Sequence, residues 1–178
     1  MNDLEAWLNQ LSDLQLPRWD QLPTLDLYMD QVLEYVNTFV QTSLSEDSKV
    51  VTAAMINNYV KQKLLPAPHK KKYSRSHLAY IIVISVLKEV LALQDIEKGI
   101  RMQKSRYGTE QAFNHFVDQL ELTVKVLSQA IVDPTTVQLN ILSFEDNLTV
   151  EMALVSYVSQ KITLYLLHHT DASEEEHD

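Results

Sequence analysis

Cysteine is absent from the 178 residues, which excludes disulfide staples, a thiolate nucleophile and any Cys-based zinc site. Glycine is almost absent. Gly99 and Gly108 are the whole supply, and neither a phosphate loop nor a dinucleotide-binding turn can be built from two isolated glycines. The same poverty disfavours a fold made of many tight hairpins. Long apolar runs are missing as well: the longest, Leu78 to Ile84, is far short of the ~20 residues that a membrane span needs. The opening MNDLEAWLNQ is acidic and amphipathic rather than basic then apolar, so it is not read as a signal peptide. One domain, or one small domain with an extension, long enough to bury a core, cytoplasmic and with no membrane partner, is the expectation.

The most informative absence is local. From Ser48 to Lys88 there is no Asp or Glu, while Lys49, Lys61, Lys63, Lys70, Lys71, Lys72, Arg75 and Lys88 give the stretch a charge of +8. The whole chain carries −9, so the remainder carries −17. An acidic protein that gathers its cations in this way has the charge pattern of one that meets a polyanion.

What is present reads as helix. Leu4, Trp7, Leu8, Leu11 and Leu14 recur at spacings of three and four over residues 2–15, until Pro17 and Pro23 break the pattern. Trp19 is expected to pack the intervening strip onto the body. Asp26 is suited to cap a helix running to about Gln41, and SLSEDSK comes next as a polar loop. Thr52 caps a short helix, TAAMINNYVKQK, and Pro66 and Pro68 edge the basic connector LLPAPHKKKY. Ser74 caps a long helix to about Leu91, with His77 expected on its surface. The run LAYIIVISVL is rich in β-branched residues, but its cap and length favour a buried helix. Two further helices are expected, from Gln94 to about Ser105 and from Thr109 to about Val132. Residues 135–147 look irregular, a last helix covers about 149–169, and TDASEEEHD reads as a disordered acidic tail. The fold class is all-α.

Helix, loop, short helix and proline-edged basic hairpin, in that order over Asp26 to Tyr73, is the sequence of parts in a winged helix-turn-helix. A DNA duplex offers a groove that admits one helix, flanked by phosphates. Asn57, Asn58 and Lys61 lie on the polar face of the short helix, with Thr52, Ala53 and Ala54 at its start and Tyr59 and Lys63 towards its end. Asn pairs well with adenine, and a small Ala permits close approach to a base. Lys70, Lys71, Lys72, Tyr73 and Arg75 are the candidate phosphate grip.

The segment VTAAMINNYVKQKLLPAPHKKKYSRSHLAYIIVISVLKEVLALQDIEKGI resembles the DNA-binding domain of the MerR family of bacterial regulators. Thr52 falls at the family's helix cap, Tyr59 at its tyrosine, Leu64-Leu65-Pro66 at its exit, Lys71 at its wing arginine, and Tyr73, Ser74 and Leu78 at the next helix start. The chain departs from that pattern at Ala54, Asn57 and Asn58, where the family has two arginines and a second tyrosine, and its first helix and turn are longer. A wider stretch, from LPRWDQLPTLDLYMDQV through MINNYVKQKLLPAPHKKKYSRSHLAYI, resembles a bacterial family known as domain of unknown function 1836 over most of residues 15–160. That family's members are regarded as transcriptional regulators. The resemblance implies a DNA-binding unit over about 26–104, preceded by the helix and strip of 1–25 and followed by a helical dimerisation and regulatory part over 105–169, with the tail at 170–178. Duplex DNA as partner, a homodimer and an unknown effector are the expectations it carries.

Other chemistry finds little support. Ser85 and Ser156 sit in apolar helices and are expected to bond back to their own turns. His168 and His169 point about 100° apart on a helix and cannot share an ion, and His115 with Glu110 or Asp118 has no HExxH spacing. No enzyme, metal or cofactor is therefore expected. Phe113, Val117, Leu120, Val124, Leu127 and Ile131 form a heptad seam, expected as the dimer interface, with an internal bundle as the alternative. Two rival functions remain. One is a protein-interaction module whose basic patch docks an acidic partner; the other is a helical protein whose last helix lines a small-molecule site.

Overall fold

Proline, glycine and capping residues decide where the helices of this chain start and stop. A computed structural model describes residues 2–13, 15–43, 50–133 and 147–170, and places six α-helices and no extended strand among them. Most of the SLSEDSK loop, the stretch 134–146 and the acidic tail lie outside the described residues.

Helix α1, Asn2–Ser12, ends ahead of Pro17 and buries Leu8 and Leu11. The strip after it is tied down at several points. The Arg18 guanidinium donates to both carboxylate oxygens of Glu121, at 3.1 and 2.7 Å, and lies 2.9 Å from Asp118. A short 3-10 turn, Trp19–Gln21, comes next. The Trp19 backbone N–H donates to Asn114 Oδ1 at 2.8 Å, and its ring meets Phe113 edge-on, as expected of a packing tryptophan.

Helix α2, Met29–Ser43, begins two residues later than a cap at Asp26 implies. Leu27 exchanges two backbone hydrogen bonds with Tyr73, 2.9 and 2.8 Å, and this pairing holds the chain extended until Tyr28, whose N–H donates to the Gln31 side chain. Helix α3 spans Ala53–Lys61, and Thr52 caps it by accepting the Met55 N–H at 3.3 Å. Helix α4, Arg75–Leu87, is the central element. Leu78, Ile81, Ile82 and Ile84 are wholly buried, which overrides the strand propensity of their β-branched run. Ser85 bonds back to the Ile81 carbonyl at 2.7 Å, and Ser156 to Met152 at 2.8 Å.

Helix α5, Leu93–Val132, runs through both helices expected here, but Gly108 at φ 78° interrupts it where the sequence separates them. A residue with a side chain is strained in that conformation. Helix α6, Leu148–Thr170, closes the body, its Tyr165 stacked between Trp7 and His169 at ring distances of 4.1 Å. Among the described residues no helix is long and apolar enough to cross a membrane.

One buried cluster unites Leu8, Leu22, Val36, Ile56, Ile81, Leu120 and Leu154, drawing on α1 through α6. The heptad seam belongs to it. Phe113, Val117, Leu120 and Val124 are buried within the chain, Leu127 is half-buried, and only Ile131 is exposed. The expected dimer interface is thus corrected to an internal packing surface, because α1, α4 and α6 all pack against α5.

Candidate nucleic-acid interface

Helix α3 divides cleanly into two faces. Ile56 and Tyr59 point into the core, while Ala54, Asn57, Asn58 and Lys61, spaced three, one and three residues apart, form one exposed stripe. Ala53 is half-buried and Thr52 exposed at the cap. The helix is held against α2 through Asn37, whose side-chain amide accepts the Val51 N–H at 2.9 Å and donates to the Val51 carbonyl at 3.0 Å. Asn58 Oδ1 accepts a 3.1 Å bond from the Gln62 side chain, whereas Asn57 carries no such tie among the described residues.

The exit from α3 is a Schellman turn. Leu64 N–H bonds the Tyr59 carbonyl at 2.9 Å and Lys63 N–H the Val60 carbonyl at 3.1 Å, with Tyr59 and Leu64 both buried beneath. The residue in the left-handed position is Lys63, φ 60°, where glycine is the usual occupant. Further on, His69 and Lys72 pair across a two-residue turn, with Lys72 N–H on the His69 carbonyl at 2.8 Å. The turn residues are Lys70 and Lys71, at φ 48° and 64°, the signs a type I′ hairpin requires and that Asn-Gly ordinarily supplies. Every non-glycine residue with positive φ among the described residues is therefore a lysine of the acid-free stretch. All three are exposed.

Tyr73 and Tyr28 anchor the hairpin. Tyr73 carries the two backbone bonds to Leu27 and is buried, and Lys72 lies over the half-exposed Tyr28 ring at 5.0 Å. At the N-terminus of α4 the His77 Nδ1 accepts the Ser74 N–H at 3.0 Å and sits 2.8 Å from its hydroxyl. His77 is buried, not on the surface as its position in sequence suggests, because the Tyr73 ring, 5.5 Å away, and the Pro66–Ala67 backbone pack against it. Burial lowers its pKa below the ordinary histidine value, against the pull of the Pro66 and Ala67 carbonyls and of Asp26.

The candidate residues thus sort by exposure. Thr52, Ala54, Asn57, Asn58, Lys61, Lys63, Lys70 and Lys71 face solvent, and none of Lys61, Lys63, Lys70 or Lys71 forms an ion pair among the described residues. Tyr59 and Tyr73 do not: both are 3 % exposed, and burial raises both phenol pKa values, so they build the core under the site rather than the site. Arg75 turns inward as well, its guanidinium 5.7 Å from the Trp19 ring and its Nε shielded from solvent, so it buttresses the strip instead of standing with the hairpin lysines. Tyr28, which steadies Lys72, carries no sequence signal that would have found it. Its partner is forty-four residues away and is brought there by the Leu27–Tyr73 pairing.

Residues 17–118 match the family model described as "Domain of unknown function (DUF1836)". That span takes in the Arg18–Trp19 strip, α2, α3, the hairpin, α4 and the first part of α5, and stops short of the wider stretch the sequence suggests. No match was found among curated proteins or among solved structures.

Proposed function

This chain belongs to the domain-of-unknown-function family DUF1836, and we propose that it is a sequence-specific duplex-DNA-binding transcriptional regulator built as a MerR-like winged helix-turn-helix. Helix α3 enters the major groove with Ala54, Asn57, Asn58 and Lys61 towards the bases. The hairpin tip, Lys70 and Lys71, and the helix exit, Lys63, lie against the phosphate backbone.

The observation that carries this reading is the placement of lysine at all three left-handed turn positions. A lysine there costs about 1 kcal/mol relative to glycine, and none of the three gains an acidic partner among the described residues. Exposed, unpaired charge kept at strained positions makes sense where an external anion supplies the missing interaction. Asn57 is the stronger candidate for a bidentate adenine contact, since Asn58 must first release Gln62. An acidic protein partner would also suit lysines. It would not explain the small polar stripe of α3, since a protein-docking helix face carries large apolar residues.

Selection of bound sequences from a random duplex library tests the reading. Convergence on a motif is expected, with Asn57→Ala relaxing the choice at one position by about 1–3 kcal/mol. Failure to enrich any sequence would overturn it.

A further inference from the structure

One of the chain's two glycines, Gly99, lines a cleft that the DNA-binding reading leaves unused, and the other, Gly108, interrupts α5 next to Thr109, one of the lining residues. Gly99 is mid-helix, where glycine is less favourable than any residue but proline. The packing does not require it: a Cβ built there meets no atom within 4 Å. The missing side chain leaves space instead of making room for a neighbour.

That space measures about 90 Å³ and opens to solvent on one side. Val83 of α4, Ile96, Ile100, Phe113 and Phe116 of α5 and Val150 of α6 supply apolar walls. The polar groups are few. Tyr80 and Thr109 hydroxyls satisfy each other at 3.4 Å. Lys104 and Asp95, both exposed, put opposite charges at the rim. His115 Nε2 is shielded from solvent and has no hydrogen-bond partner among the described residues. An apolar slot with one unpaired polar atom is how small-molecule sites are commonly built.

We propose that this cleft binds a short aliphatic molecule with a single oxygen-bearing end group, its chain lying along Gly99 and its end group hydrogen-bonded to His115 Nε2. The volume is below the ~150 Å³ of an engineered apolar cavity that encloses benzene, so a few carbons of a linear chain are enclosed and the rest of a six-carbon chain leaves through the open side, whereas a whole ring is not accommodated. The site stands independently of DNA binding. Its inner wall is α4, the helix whose first turn supports the basic hairpin.

Titration of the full chain with hexanoate and, separately, with hexanol, followed by methyl NMR of Val83, Ile96, Ile100 and Val150, tests the proposal. Saturable shifts confined to these methyls are expected. Preference for hexanoate assigns an anionic end group, and preference for hexanol a neutral one. Gly99→Leu fills the slot with a better helix former, so it is expected to raise the melting temperature while abolishing the shifts. Ala112→Leu, on the other half of α5, serves if the first variant does not fold. His115→Phe is expected to weaken binding at least tenfold with the apolar walls intact. Absence of saturable shifts with both probes, or shifts unchanged in a folded slot-filling variant, would overturn the site.

Discussion

The helical body and the α3–hairpin region treat charge differently. The body ties several cations to acids: Arg18 grips Glu121 and Asp118, Arg101 pairs with Glu97, and the nearly buried Lys161 reaches Glu89 at 2.5 Å, while the exposed Lys98, Lys104 and Lys125 form no ion pair among the described residues. In the α3–hairpin region Lys61, Lys63, Lys70 and Lys71 have no acid within bonding reach among the described residues, and three of the four occupy backbone conformations that a lysine resists. The Arg18 and Lys161 pairs of the first region are internal cement. Charge in the second region is addressed outward, and the backbone is bent at a cost to hold it there.

The largest effect that separates the two belongs to the body. Lys161→Ala leaves the Glu89 carboxylate facing a buried gap beside Tyr157, whose phenol pKa burial and the Glu89 charge already push upward. It is expected to cost about 3 kcal/mol of unfolding free energy in urea titration, with duplex affinity of the folded protein unchanged. In the other region the pattern inverts. Replacing Lys70, Lys71 and Lys72 together with Ala leaves stability within about 0.5 kcal/mol, yet weakens binding to all duplexes alike and makes the salt slope shallower by about 2–3.

The junction between the regions titrates. The His77 pKa is depressed by burial, so the unfolded chain takes its proton first. The stability this group contributes is full above about pH 6.5 and drains as pH falls towards the folded value. Urea midpoints measured at about pH 7.5 and about pH 5 are expected to diverge in the native chain and to converge in His77→Gln. The smallest effect sharpens the comparison most. Lys71→Gly relieves a left-handed lysine, and is expected to stabilise the fold by about 0.5–1 kcal/mol while lowering duplex affinity. A stabilising substitution that leaves affinity intact would mean the strain serves nothing outside the chain.

Local signals in the sequence were reliable guides. Thr52 and Ser74 mark helix starts, Gly108 marks the interruption of α5, and the acid-free stretch marks the hairpin. Contacts distant in sequence were not legible: nothing in LPRW foretells that Arg18 will find Glu121, or in TLDLY that Leu27 will pair with Tyr73. The heptad seam misleads because burial against α1 and α6 and burial against a second copy leave the same spacing. Tyr73 misleads for a related reason: it lies among basic neighbours in sequence yet is buried, whereas the apolar spacing of α3 already turns Tyr59 inward. Lysine at left-handed positions also hides the turns themselves, since glycine and asparagine are the residues that announce them.

The central claim, that the unpaired lysines of α3 and the hairpin meet a nucleic-acid backbone, is tested most directly by the salt dependence of duplex binding. If Lys63, Lys70, Lys71 and Lys72 each neutralise one phosphate per subunit, log affinity falls with log salt at a slope of roughly −3.5. A slope near zero, or no binding to any duplex at low salt, would contradict it.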